Sequence, residues 1–75
     1  MLDVEAMVRE ETAKAEEKFG PFHSSHEGLG VLIEEVDELR EAIRSNIPAL
    51  IQKEAVQVAS VASRIAKSMR RLGCR

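Results

Sequence analysis

Five acidic residues fall within eight positions near the middle of this chain: Glu34, Glu35, Asp37, Glu38 and Glu41. Carboxylates this dense repel one another, and their spacing supports two readings. In one they form a solvated acidic face. In the other, Glu35 and Glu38 lie three apart on a helix and so share one side of it. Val31 and Ala42 extend that side into a stripe spaced i, i+4, i+7, i+11. Two carboxylates framed by apolar residues suit a hard divalent cation, which takes oxygen ligands.

Glu54 is the second candidate. It falls on the apolar stripe of a later segment, four residues before Val58, seven before Val61 and eleven before Ile65. An unpaired buried carboxylate there would cost stability or take up a proton. A frayed first turn or a salt bridge to Lys or Arg would remove the problem. Facing Glu35 and Glu38 across a helix pair and sharing their metal would remove it too. Gln57, three residues on, would then add a neutral amide oxygen.

The remaining polar residues offer less. His26 lies inside a helix-start motif, where capping accounts for it, although helix N-termini also favour phosphate. His23 and His26 have no partner at zinc spacing. Arg64, Lys67, Arg70, Arg71 and Arg75 cluster late in the chain. There they complement a helix dipole and can pair with acids near the start, or Arg64 and Lys67 can meet nucleotide phosphates. Cys74 has no neighbouring His or acid to activate it and reads as a bystander.

Three helices are expected to carry these residues. The first runs over about 2–18, with Val4, Val8, Glu11, Ala15 and Phe19 on one face beside Met7, and Gly20-Pro21 ends it. Ser24-Ser25-His26-Glu27 matches a capping box, with Ser24 as N-cap and Glu27 at N3, and opens a second helix over about 25–45. Its apolar stripe is Leu29, Leu32, Val36, Leu39 and Ile43. Asn46 reads as the N-cap of a third helix over about 47–72, with Pro48 in its first turn and Gly73 as its stop. Ile51, Val58, Val61, Ile65, Met69 and Leu72 make one stripe of that helix, and Ala55, Ala59, Ala62 and Ala66 a second. A helix apolar over so much of its circumference expects more than one neighbour. No segment alternates like a strand, so residues 1–75 read as a single all-α domain.

Composition narrows the class. The 75 residues are 44% hydrophobic and 32% charged, as in a folded soluble chain, with one cysteine and therefore no internal disulfide. A chain this short needs a staple, a metal or a partner. With disulfides and zinc set aside, self-association is the expected solution. No apolar run approaches the roughly 18 residues of a membrane span, and no secretion leader is read at the start, so a cytoplasmic protein without a membrane partner is expected. The lone thiol fits that compartment. Residues 1–46 carry twelve acids and five bases (net −7), and residues 47–75 one acid and six bases (net +5). The overall charge of −2 argues against a nucleic-acid binder, and the split suggests that the two halves face each other.

The segment His26 to Ile43 resembles the metal-binding helix of the MazG-like all-α nucleoside triphosphate pyrophosphohydrolases. Their first motif is E-x-x-E within L-x-x-E-E-x-x-E-L-x-x-A-I, and Glu35 and Glu38 take its two acidic positions. Their second motif, E-x-x-D, opens a later apolar helix. Glu54-Ala55-Val56-Gln57 stands in that place, with Gln57 where the family has Asp. The resemblance spans about residues 26–66. It implies a helical hairpin or three-helix unit that assembles into a homodimeric or homotetrameric bundle. It also implies Mg²⁺-dependent hydrolysis of a (d)NTP to the monophosphate and pyrophosphate. Glu35 and Glu38 would be catalytic, and Glu35, Glu38, Glu54 and Gln57 would hold the metal. The change at Gln57 keeps an alternative open: a non-catalytic nucleotide-binding or assembly module that kept the fold and lost a ligand.

Overall fold

The structure, a computed structural model, describes residues 3–72. It is all-α: α1 spans Val4–Phe19, α2 Ser25–Ser45 and α3 Pro48–Arg71. The expected helix at 2–18 begins two residues later, at Val4, and ends one residue later, at Phe19, a displacement usual for helix termini. Gly73 and Cys74, read as a helix stop and a bystander, lie outside the described residues, as does Arg75.

Local chemistry sets the boundaries. The Asp3 carboxylate accepts the Ala6 N–H at 2.7 Å and starts α1. Gly20, at φ 72°, ends it by donating its N–H to the Glu16 carbonyl, in a region that costs glycine little. Ser24 caps α2 by accepting the Glu27 N–H at 3.1 Å. The reciprocal half of the box differs from expectation, because the Glu27 carboxylate takes the N–H of His23, at 2.8 Å, rather than that of Ser24. Asn46 also differs. It adopts a left-handed conformation (φ 58°) as the C-cap of α2, and Ile47 becomes the N-cap of α3 without a side-chain bond. Asparagine tolerates that conformation better than other side chains, so it ends one helix instead of starting the next.

The longest helix, α3, packs against both α1 and α2, which do not pack on each other. Two faces of α3 are therefore used. Toward α1 and the α1–α2 link, Ser60 meets Thr12 (Oγ–Oγ1 3.1 Å) and Ser68 accepts the N–H of Phe22 at 3.0 Å. Toward α2, Ile65 meets Gly28, where a Cβ would come within 2.7 Å of Ile65 Cγ1 and 3.3 Å of Phe22 Cδ2. Gly28 thus leaves room for the Ile65 side chain to pack against the α2 backbone.

Few large side chains are enclosed. Phe22, Ala42, Val56 and Val61 are buried, and so are the polar Thr12, Glu54, Ser60, Arg64 and Ser68. The apolar stripe of α2 is not its packed face: Leu29, Val36 and Ile43 are about half exposed, together with Ile33. Gly28 and Ala42 are the buried residues of α2. The alanine stripe of α3 is exposed as well. On α1, Val4 and Phe19 are exposed and Thr12 is the buried residue. The two oppositely charged halves meet in one ion pair among the described residues, Lys67 with Glu16 at 3.5 Å; the other pairs join neighbours three or four apart on one segment.

Candidate metal centre and adjoining cleft

Glu35 and Glu38 project from consecutive turns of α2, and Glu54 from the second turn of α3. The α2–α3 packing brings them together: each offers a carboxylate oxygen, and these atoms lie within 4.8 Å of one another. Glu54 is only 9% exposed, which removes the frayed-turn reading, and it makes no salt bridge among the described residues. Glu35 is half-buried and Glu38 exposed, so the group opens to solvent on one side. The helix start needed for this geometry comes from Pro48, whose missing N–H and fixed φ suit a first turn.

The electrostatics follow from the crowding. Burial pushes the Glu35 carboxyl above its usual range, and the charges of Glu38 and Glu54 push it further. Burial also raises Glu54, as does the Glu38 carboxyl beside it, while Lys53 pulls the other way. One oxygen of Glu35 and one of Glu54 are buried without a hydrogen-bond partner. Buried polar atoms are ordinarily paired. Three converging carboxylates with two unpartnered oxygens therefore fit a small, hard divalent cation, whose charge would offset both the desolvation and the mutual repulsion. Glu34 is exposed, and the Glu41 carboxylate faces Arg44 at 3.4 Å, so neither joins the group.

A cleft of about 450 Å³ adjoins the carboxylates. Glu35 and Gln57 line it from α2 and α3, Lys14 and Lys18 from α1, and Arg64 from farther along α3. Gln57 therefore stands beside the cleft with Glu35. Arg64 is buried, with its guanidinium carbon 4.3 Å from the Phe22 ring centre. The other two phosphate-contact candidates do not line this cleft: His26 is exposed in the first turn of α2, and Lys67 is paired with Glu16. Residues of the cleft that the sequence did not single out for ligand contact are Phe19, Phe22, Lys14 and Lys18; His23, weighed there beside His26, lines it too. Lys14 and Lys18 stand four apart near the end of α1, where cations suit the helix dipole, and nothing local shows that they meet a cavity.

No protein-family model, no curated protein and no solved structure matches the chain. Among the described residues no helix is long and apolar enough to cross a membrane.

Proposed function

We propose that the protein is a Mg²⁺-dependent nucleoside triphosphate pyrophosphohydrolase of the MazG-like type, cleaving a (d)NTP and water to the monophosphate and pyrophosphate. The observation that carries this reading is the Glu35–Glu38–Glu54 group beside a cleft lined by Lys14, Lys18 and Arg64. Carboxylates and cations at one opening suit a magnesium–polyphosphate better than either ion alone. When bound, Mg²⁺ supplies neutralisation of phosphate charge and a lowered pKa for its water. Glu35, Glu38 and Glu54 would hold it, with the Gln57 amide oxygen as a neutral fourth group. Glu35 is also the one of the three acids that lines the cleft. Its place on the cleft wall suits it to accept the proton of the water attacking the α-phosphorus. Lys14 and Lys18 would bind phosphate oxygens and draw off charge as pyrophosphate leaves.

We infer further that the working form is a homodimer or homotetramer in the cytoplasm. Leu29, Ile33, Val36 and Ile43 expose a bulky apolar ridge on α2, and Ala55, Ala59, Ala62 and Ala66 a shallow small-residue face on α3. Apolar surface of this extent usually marks an interface. A second copy could bury the ridge of one chain against the alanine face of the other. Sedimentation equilibrium giving a mass near 8.3 kDa would refute self-association.

The test of the function is a Mg²⁺-dependent pyrophosphate-release screen over the common NTPs and dNTPs. Glu35→Gln and Glu38→Gln should abolish release, while Glu34→Gln and Glu41→Gln should leave it close to wild type. Equal losses in all four would favour a merely acidic face. Gln57 favours the second reading, a non-catalytic binding or assembly module, because it leaves the group one negative charge short of the family motif. Mg²⁺ and nucleotide binding without pyrophosphate release would select that reading.

A further inference from the structure

Part of the cleft is not used by metal and phosphate chemistry. Arg64 lies seven residues beyond Gln57 on α3, about 10 Å along the helix axis. Two phenylalanines stand there with it. Phe22 carries the Arg64 guanidinium over its ring at 4.3 Å, and at 6% exposure it has little surface left for a ligand. Phe19 is different. At 64% exposure it is the most exposed of the large hydrophobic residues described, yet it lines the cleft at the end of α1. Lys18 and Arg64 approach its ring at 5.1 and 5.9 Å. A phenyl ring kept in water beside two cations suits a planar, electron-rich partner that stacks on it.

Arg64 adds a second, independent observation. It is 6% exposed, makes no salt bridge among the described residues, and its buried Nε–H has no acceptor. The cleft's carboxylates do not meet this need: Glu11, Glu27 and Glu35 do not pair with Arg64, and Glu27 already accepts from His23. A buried donor without an acceptor costs stability unless a ligand supplies one. A guanidinium offers donors and no acceptor.

We propose that the Phe19–Arg64 end of the cleft is a nucleobase subsite. Phe19 stacks the base, and Arg64 donates to its edge, so bases with carbonyl acceptors (guanine, cytosine, uracil, thymine) bind better than adenine. This rests on the reading that the cleft takes a nucleoside triphosphate. Guanidinium recognition of adjacent carbonyl and ring-nitrogen acceptors is the geometry by which arginine selects guanine elsewhere.

Calorimetric affinities of the full chain for GTP, UTP, ATP and inorganic tripolyphosphate test it, with Ca²⁺ in place of Mg²⁺ to suppress turnover. Wild type should bind GTP and UTP roughly tenfold more tightly than ATP. Phe19→Ala, at an exposed site that should not impair folding, should weaken every nucleotide roughly tenfold and leave tripolyphosphate unchanged. It should also abolish the upfield ring-current shift of the bound base protons. Arg64→Gln should erase the difference between keto bases and adenine. Equal wild-type affinity for nucleotides and tripolyphosphate overturns the subsite, as does an equal effect of Phe19→Ala on both. If Arg64→Gln weakens tripolyphosphate as much as GTP, Arg64 holds a phosphate and base selection by it is wrong. Tripolyphosphate binding that still depends on Glu35 would leave the metal–phosphate reading intact after such a failure. If no triphosphate binds at all, both readings fall.

Discussion

Replacing Glu54 with Gln should reverse the order of stability between mutant and wild type when Mg²⁺ is added. The side chain keeps its size and loses its charge. Two unit charges 4.8 Å apart repel by about 3.5 kcal/mol at an effective dielectric near 20. Charge spread over both oxygens, and solvent at the exposed Glu38, reduce the effective relief to about 1–2 kcal/mol. Glu54 has no salt bridge to lose, so at pH 8 without metal the mutant should be the more stable protein. For a domain of this size that corresponds to a Tm higher by about 4–16 °C. With Mg²⁺ at about 100 times its dissociation constant, wild type gains about 2.7 kcal/mol by mass action. The mutant, with one anionic ligand fewer, should gain little, and the two melting curves should exchange places. Thermal melts at one fixed protein concentration, with and without Mg²⁺, read the result directly. If Glu54→Gln is the less stable protein without metal, or if Mg²⁺ raises both melting temperatures equally, the carboxylates are a structural network and not a cation site.

Other consequences are open to equally simple measurements. The raised proton affinities of Glu35 and Glu54 mean that the folded state holds their protons more tightly than the unfolded chain does. Their contribution is therefore fully favourable below the ordinary value of 4.5 and is lost as pH rises through the raised folded values. Urea melts of the metal-free protein should show stability falling across that range, and saturating Mg²⁺ should flatten the fall. Gln57→Asp should tighten Mg²⁺ binding by about five- to thirtyfold in a calorimetric titration, a net gain of roughly 1–2 kcal/mol after desolvation and repulsion. It should also lower the Tm of the metal-free protein; equal destabilisation with and without metal would make Gln57 a packing residue. Gly28→Ala should cost about 1 kcal/mol in chemical denaturation, because overpacking against Ile65 and Phe22 outweighs the better helix propensity. Gly30→Ala, with nothing within 4 Å of the added Cβ, should instead stabilise by about 0.5–1 kcal/mol. Val36→Asp should convert a sedimenting oligomer to the monomer, since it places a charge on the exposed ridge of α2.

The sequence by itself determined the three helices and most of their ends. Local rules govern those: Asp3 and Ser24 offer side-chain oxygens to free N–H groups, Gly20 accepts a positive φ, and Pro48 fits a first turn. Periodicity also placed Glu35 with Glu38, and Glu54 on an inward stripe, because spacing along one helix is fixed by its 3.6-residue turn. What periodicity cannot give is which stripe meets which neighbour. The strongest apolar stripe of α2 stays largely exposed, while the weaker one through Gly28 and Ala42 packs on α3. The room that Gly28 leaves for the Ile65 and Phe22 side chains favours this, and it depends on a residue without a side chain. Asn46 is ambiguous for a related reason: the same residue suits the end of one helix and the start of the next, and only the path of the chain between α2 and α3 chooses. Thr12, Ser60 and Ser68 are polar and belong to none of the apolar stripes, yet they form the seam of α3 with α1 and the link: Thr12 bonds to Ser60, and Ser68 accepts from Phe22. The cleft is tertiary throughout. Lys14, Phe19, Glu35, Gln57 and Arg64 come from three helices, and no local spacing encodes the distance between helices that face each other only after folding.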